Sequence, residues 1–165
     1  MVLQTHVEAK TITDKLIVAL IEQNTPKVLH NEKNQPWDFG TYDFQVNKAG
    51  VVGFSNAADD IRLTLPIEVV MQGKVNKDFL GQKVVLNCDS TFETETIFDV
   101  TLLLNPPNSA AKVRILAPIP EAFLFCDGLK LPIQPFLQQL VAEKKVEWEQ
   151  KITAEIQTLL KKAGI

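Results

Sequence analysis

Asp60–Gly73 reads DIRLTLPIEVVMQG, and its parity decides the fold. Ile61, Leu63, Leu65, Ile67, Val69 and Met71 share one parity. Arg62, Thr64, Pro66, Glu68 and Gln72 share the other, which only Val70 interrupts. Successive side chains point to opposite faces of a strand, so this pattern predicts a half-buried β-strand with one apolar and one wet face. At ~3.3 Å per residue, Ile61 to Met71 extends roughly 35 Å, beyond the usual strand of ~5–6 residues. A second stretch repeats the pattern: Phe92, Thr94, Thr96, Phe98, Val100, Leu102 and Leu104 oppose Glu93, Glu95, Asp99 and Thr101. Two long apolar faces need a long cover, and the chain offers one candidate helix near each end.

The first helix is expected from Ile12 to about Asn24. Thr11 or Thr13 is suited to cap it, and Asp14 suits its first turn. Its core, LIVALI, is apolar almost all round, which predicts burial on most sides. Pro26 ends it, because the residue before a proline avoids the α region. The second helix is expected from about Gln134 to Ala163. Phe136, Leu137, Leu140, Val141, Val146, Ile152, Ile156, Leu159 and Leu160 follow a 3.6-residue stripe. Glu147 and Lys151 have the spacing of an i,i+4 pair. Lys161 and Lys162 suit the negative helix end, and Gly164 suits the C′ position. About thirty residues at 1.5 Å rise give roughly 45 Å, a match to the long strands.

Between the helices, Val28 to Gly40 reads as a polar connector. Tyr42, Phe44 and Val46 mark a strand. Asn47 to Gly50 is turn material, and Val51 to Ser55 reads as the returning strand of a hairpin. Pro66 cannot donate to a ladder, which predicts an edge position or a bulge. Asn76 to Gly81 reads as a loop and Gln82 to Asp89 as a strand, with at most a bend at Ser90-Thr91 before the Phe92 pattern resumes. Asn105 to Ser109 is a strong turn, and Lys112 to Ala117 closes the sheet. Pro118 to Pro135, PIPEAFLFCDGLKLPIQP, reads as irregular but too apolar to run in water, so it is expected to pack on the core or line a mouth.

Composition narrows the function classes. The chain has 165 residues, 45% hydrophobic and 22% charged, with a net charge of -3. That suits one domain with a substantial core and argues against disorder. A nucleic-acid binder usually shows a basic face, whereas this chain has only Arg62 and Arg114 as arginines. No apolar run approaches the ~20 residues of a membrane span, and MVLQTHVEAK at the start contains no apolar core of a secretory signal. Cys88 and Cys126 read either as two buried small hydrophobes or as one disulfide in an oxidising compartment.

Acid–base chemistry finds little support. His6 and His30 are the only histidines, both in polar segments expected on the surface, so a catalytic triad is not expected. Glu93, Glu95 and Asp99 belong to a wet strand face, and a calcium or magnesium site would need more converging ligands. None of the seven glycines forms a phosphate-binding loop. The expectation is a non-enzymatic protein with neither cofactor nor metal.

The order of elements is helix, long antiparallel strands, proline-rich crossing, long helix. It is carried by Thr13-Asp14-Lys15-Leu16, by Gln23-Asn24-Thr25-Pro26-Lys27-Val28-Leu29, by Ile61 to Met71, and by Leu129-Lys130-Leu131-Pro132-Ile133. This order resembles the tubular lipid-binding (TULIP) superfamily, and within it a single lobe of bacterial TULIP-like proteins of unknown function. The resemblance implies one α+β domain over 1–165. In it, a long, strongly curved antiparallel meander sheet wraps around the long C-terminal helix, beside a second, apolar N-terminal helix. It also implies a cell-envelope or periplasmic setting and an apolar ligand such as a lipid acyl chain.

A long curved sheet around a helix leaves a seam, and seams are where apolar ligands enter. Phe123, Leu124, Phe125, Leu129 and Leu131 in the crossing segment are the expected lining of an entrance. Met71 and Phe79 oppose them, and Phe136 and Leu140 face them from the helix. The expected function is non-catalytic binding or carriage of a lipid or other apolar small molecule. The alternative is a structural or interaction domain with a packed core, docking a second copy or an envelope partner.

Overall fold

The computed structural model describes residues 15–16, 18–38, 40–57, 60–106 and 108–164, with the side chains of 56 and 57 left aside. The protein is α+β: an open antiparallel sheet with two helices, the second of them long. A helix seen at residues 15–16 and 18–24 (α1) precedes β1 (Val28–Trp37), β2 (Gly40–Lys48), β3 (Gly53–Ala57), β4 (Asp60–Phe79), β5 (Gln82–Leu103), β6 (Ala110–Leu116), β7 (Phe123–Cys126) and β8 (Leu129–Pro132). The long helix α2 (Gln134–Lys162) follows.

The β4–β5 hairpin is the axis of the sheet. Its strands have 20 and 22 residues and pair without a register break from Asp60↔Thr101 to Phe79↔Gln82. The parity of β4 holds as far as Val75: Ile61, Leu63, Leu65, Ile67, Val69, Met71 and Val75 are buried. Gly73 occupies the same parity. A Cβ there would meet Trp37 at 3.1 Å and Leu124 at 3.8 Å, so the missing side chain makes room for both. Where a loop over 76–81 was expected, β4 continues to Phe79. The reversal needs only Leu80 and Gly81, at φ 51° and 79°, which is the left-handed pair of a two-residue hairpin turn.

Each side of this hairpin carries a broken line of strand. On the β4 side, β2 ends at Lys48↔Ile67 and β3 begins at Gly53↔Thr64, both antiparallel to β4. The expected hairpin between residues 42–46 and 51–55 is therefore absent: β2 and β3 run in one direction along one edge. Residues 49–52 are an interruption rather than a reversal. Pro66 lies opposite that interruption. The Ala49 N–H donates to the Pro66 carbonyl at 2.9 Å. N–H and C=O of one strand residue point to the same side, so the donor that Pro66 lacks would have faced the gap. The proline thus has its edge-like position inside a central strand.

The β5 side is built the same way. β6 pairs with residues 97–103 and β7 with Cys88 and Asp89, again in one direction along one edge. The segment expected to be irregular contains the small hairpin β7–β8, turned by Asp127 and Gly128 at φ 45° and 86°. The expected polar connector after α1 is β1, which pairs with β2 and bulges around Asn34, at φ 54°. The outer strands β1 and β8 do not pair with each other among the described residues, so the sheet stays open.

Cys88 and Cys126 form a disulfide across the β5–β7 pair, with Cα atoms 4.2 Å apart. On the wet face, Arg62 donates to both carboxylate oxygens of Asp99, at 2.8 and 3.1 Å, and Arg114 stands 3.9 Å away. Both arginines therefore meet one carboxylate across three neighbouring strands. Asp99 is buried, although it stands on the face away from the core.

Helix α2 closes the open edge of β6. Thr153 Oγ1 accepts the Val113 N–H at 3.2 Å, Glu149 accepts the Ile115 N–H at 3.1 Å, and Gln157 donates to the Ala111 carbonyl. An edge strand left bare would present unpaired backbone groups to another chain. Gly164 takes the left-handed conformation expected at C′. Helix α1 is less buried than its composition predicts. Leu16 is 51% exposed and Ala19 is exposed. The expected caps Thr11 and Thr13 and the first-turn Asp14 lie outside the described residues. Glu22 anchors the helix by pairing with Lys48 and accepting the Val52 N–H at 2.8 Å.

Candidate functional site

One face of the sheet and the two helices line a cavity of about 580 Å³ that is partly open to solvent. Its floor follows from the parity of the central hairpin. Leu63, Leu65, Ile67 and Val69 reach it from β4, and Phe92, Thr94, Thr96 and Phe98 from β5. Helix α2 contributes Leu137, Leu140, Trp148, Ile152 and Ile156 among others, and α1 contributes Ile21 and Asn24. Ile115 from β6 and Ala117, Pro118 and Ile119 from the segment after it complete one wall. The volume lies within the ~300–1,000 Å³ typical of small-molecule sites, and the mostly apolar lining is also typical.

Besides the uncharged Asn24, Thr25, Thr94 and Thr96, the ionisable groups of the lining are few and placed in two clusters. Lys151 and Glu155 stand one helical turn apart on the exposed side of α2, at the border of the cavity. Lys151 was expected to pair with Glu147. Among the described residues neither Lys151 nor Glu155 has an ion-pair partner within 4.0 Å. The second cluster is on β1. His30 lines the cavity between the rings of Phe44 and Trp148, with centroids at 6.1 and 5.4 Å. His30 is thus half-buried rather than solvated. Its Nε2 lies 3.1 Å from Glu32, which also pairs with Lys144 of α2. Burial alone would push the Glu32 carboxyl up. The hydrogen bond and charge of Lys144, with the smaller influence of His30, override it and hold the group below the usual range.

The nine residues expected at the site are dispersed. Leu140 lines the cavity. Met71 and Leu124 are fully buried in the core beyond it. Phe136 packs edge-on against Trp37 and Tyr42, at 5.4 and 5.3 Å. Phe79 is 62% exposed near the hairpin turn. Phe125 and Leu129, 55% and 48% exposed, sit with the half-buried Phe123 and Leu131 on the β7–β8 hairpin. Lys130 lies over the Phe123 ring at 3.9 Å. The lining from β5 and α1 was missed as a site because those residues read as ordinary core. Thr94 and Thr96 were the available signal: two hydroxyls between Phe92 and Phe98 on one strand face.

Among the described residues no three His, Cys, Asp or Glu side chains gather to hold a metal ion, and no helix is long and apolar enough to cross a membrane. Compared with protein-family models and with curated proteins, the chain matches none.

Proposed function

We propose that the protein is a non-catalytic binder or carrier of a lipid or similar apolar molecule. In this reading a strongly curved sheet wraps the C-terminal helix, as in the tubular lipid-binding proteins that the sequence resembles, and the ligand lies in the seam. The observation that carries the reading is the cavity of about 580 Å³, whose lining comes from five strands and both helices. A packed interior has few voids larger than a water molecule. An apolar space this large therefore favours a guest of matching character. The Cys88–Cys126 bridge supports an oxidising compartment such as the envelope.

Native mass spectrometry after gentle purification, with a melting scan against a lipid panel, tests this reading. A bound lipid mass is expected. A ligand at a hundred times its dissociation constant should add ~2.7 kcal/mol of stability. A protein that carries no extra mass and whose melting point no lipid raises would overturn the proposal.

A second reading, an interaction domain, rests on the end of the central hairpin. Phe79, Leu80 and Val85 are exposed beyond the last β2 partner, Val75.

A further inference from the structure

The cavity's capacity and rim narrow the ligand class, given the carrier reading above. A methylene fills about the volume of one liquid water, ~30 Å³, so a cavity of about 580 Å³ holds at most roughly nineteen of them. That is one hydrocarbon chain of ordinary biological length. Two such chains need about twice the room. The depth of the cavity is mostly apolar, with Leu65, Ile67, Phe92, Phe98, Leu137 and Ile152 around it and the hydroxyls of Thr94 and Thr96 among them. The lining includes His30, whose Nε2 stands 3.1 Å from Glu32, and the charged side chains Lys151 and Glu155. Both are exposed, and neither has an ion-pair partner among the described residues. Asn24 and Thr25, at the end of α1, also line the cavity.

We infer that the ligand is a single-chain amphiphile, a fatty acid or a lysophospholipid. One chain fills the cavity and the polar head rests at the rim formed by Lys151 and Glu155. A buried charged head would lose its hydration with no partner in the apolar interior, whereas the rim offers water and two unpaired charges. The same geometry disfavours a diacyl lipid, whose second chain would be left outside or would force the layers apart.

The test uses the delipidated full chain and native mass spectrometry, with displacement of a bound fluorescent naphthylamine probe as the affinity readout. Sodium palmitate, palmitoyl-lysophosphatidylcholine and vesicles of dipalmitoylphosphatidylcholine are compared, followed by saturated fatty acids of increasing length. One equivalent of either single-chain lipid is expected, with affinity rising with chain length and levelling off near roughly eighteen carbons. Thr96→Phe, on the cavity face of β5, should move that optimum to shorter chains while leaving the circular dichroism spectrum unchanged. Two bound chains, a bound diacyl lipid, or an optimum that does not move in Thr96→Phe would overturn the inference and leave the carrier reading standing. Binding of none of these lipids would overturn both.

Discussion

Leu65 and Glu68 stand three positions apart on β4 and face opposite solvents. Leu65 is buried and lines the cavity. Glu68 is half-buried on the other face, where it accepts a 3.3 Å hydrogen bond from Asn47. Leu65→Asp places a charge without a partner on the apolar face and should cost several kcal/mol, enough to prevent stable folding. Glu68→Lys should change stability by ~0.5 kcal/mol or less. Denaturant unfolding of the two variants checks this, and equal losses would contradict the assigned faces. These environments were legible because alternation along a strand is a local property of the chain. His30 and Glu32 were not legible. They occupy inward positions of β1, where polar residues argue against a strand. Glu32 is paired with Lys144, 112 residues away, and His30 packs against Trp148, partners that no local pattern reveals.

The elements show the same division between local and distant causes. Helix α2 and the long strands were legible from period and length. The turn at Leu80-Gly81 was not, since leucine seldom takes a left-handed conformation and gave no turn signal. That conformation costs an ordinary side chain roughly 1–2 kcal/mol, which asparagine largely escapes. Leu80 is 93% exposed, so little packing offsets the strain. Leu80→Asn should therefore stabilise the protein by about 1 kcal/mol, read as a higher denaturant midpoint. A fall instead would show that the leucine makes contacts that matter. The β7–β8 hairpin did carry its signal, Asp-Gly between two apolar runs, but four nearby prolines outweighed it. Pro132 proves compatible because it ends its strand. The β2–β3 interruption could not be told from a reversal, because turn residues serve both and only the pairing with β4 decides.

Across the whole molecule, charge works mainly through three carboxylates that tie separate parts together. Hydrogen bonds from Lys48 and then from Val52 hold Glu22 below the usual carboxylate range, and that from Arg62 does the same for Asp99. Lys144 does so for Glu32 against the effect of burial. A folded-state value below the unfolded one, which is ~4, means that stability is present above the unfolded value and lost as pH falls through the folded one. The melting temperature should thus be flat near neutrality and decline from about pH 5 towards pH 3. A melting temperature that holds or rises over that interval would refute the assignment. The plan of the sheet also bears on how the chain assembles. A two-residue reversal brings Phe79 and Gln82 together almost without loop entropy, and every later rung up to Asp60 and Thr101 closes a loop already mostly zipped. Loop closure therefore favours early pairing of the central ribbon, which needs the flanking strands and helices to become stable, while the far-separated partners such as Glu32 and Lys144 are expected to come together last.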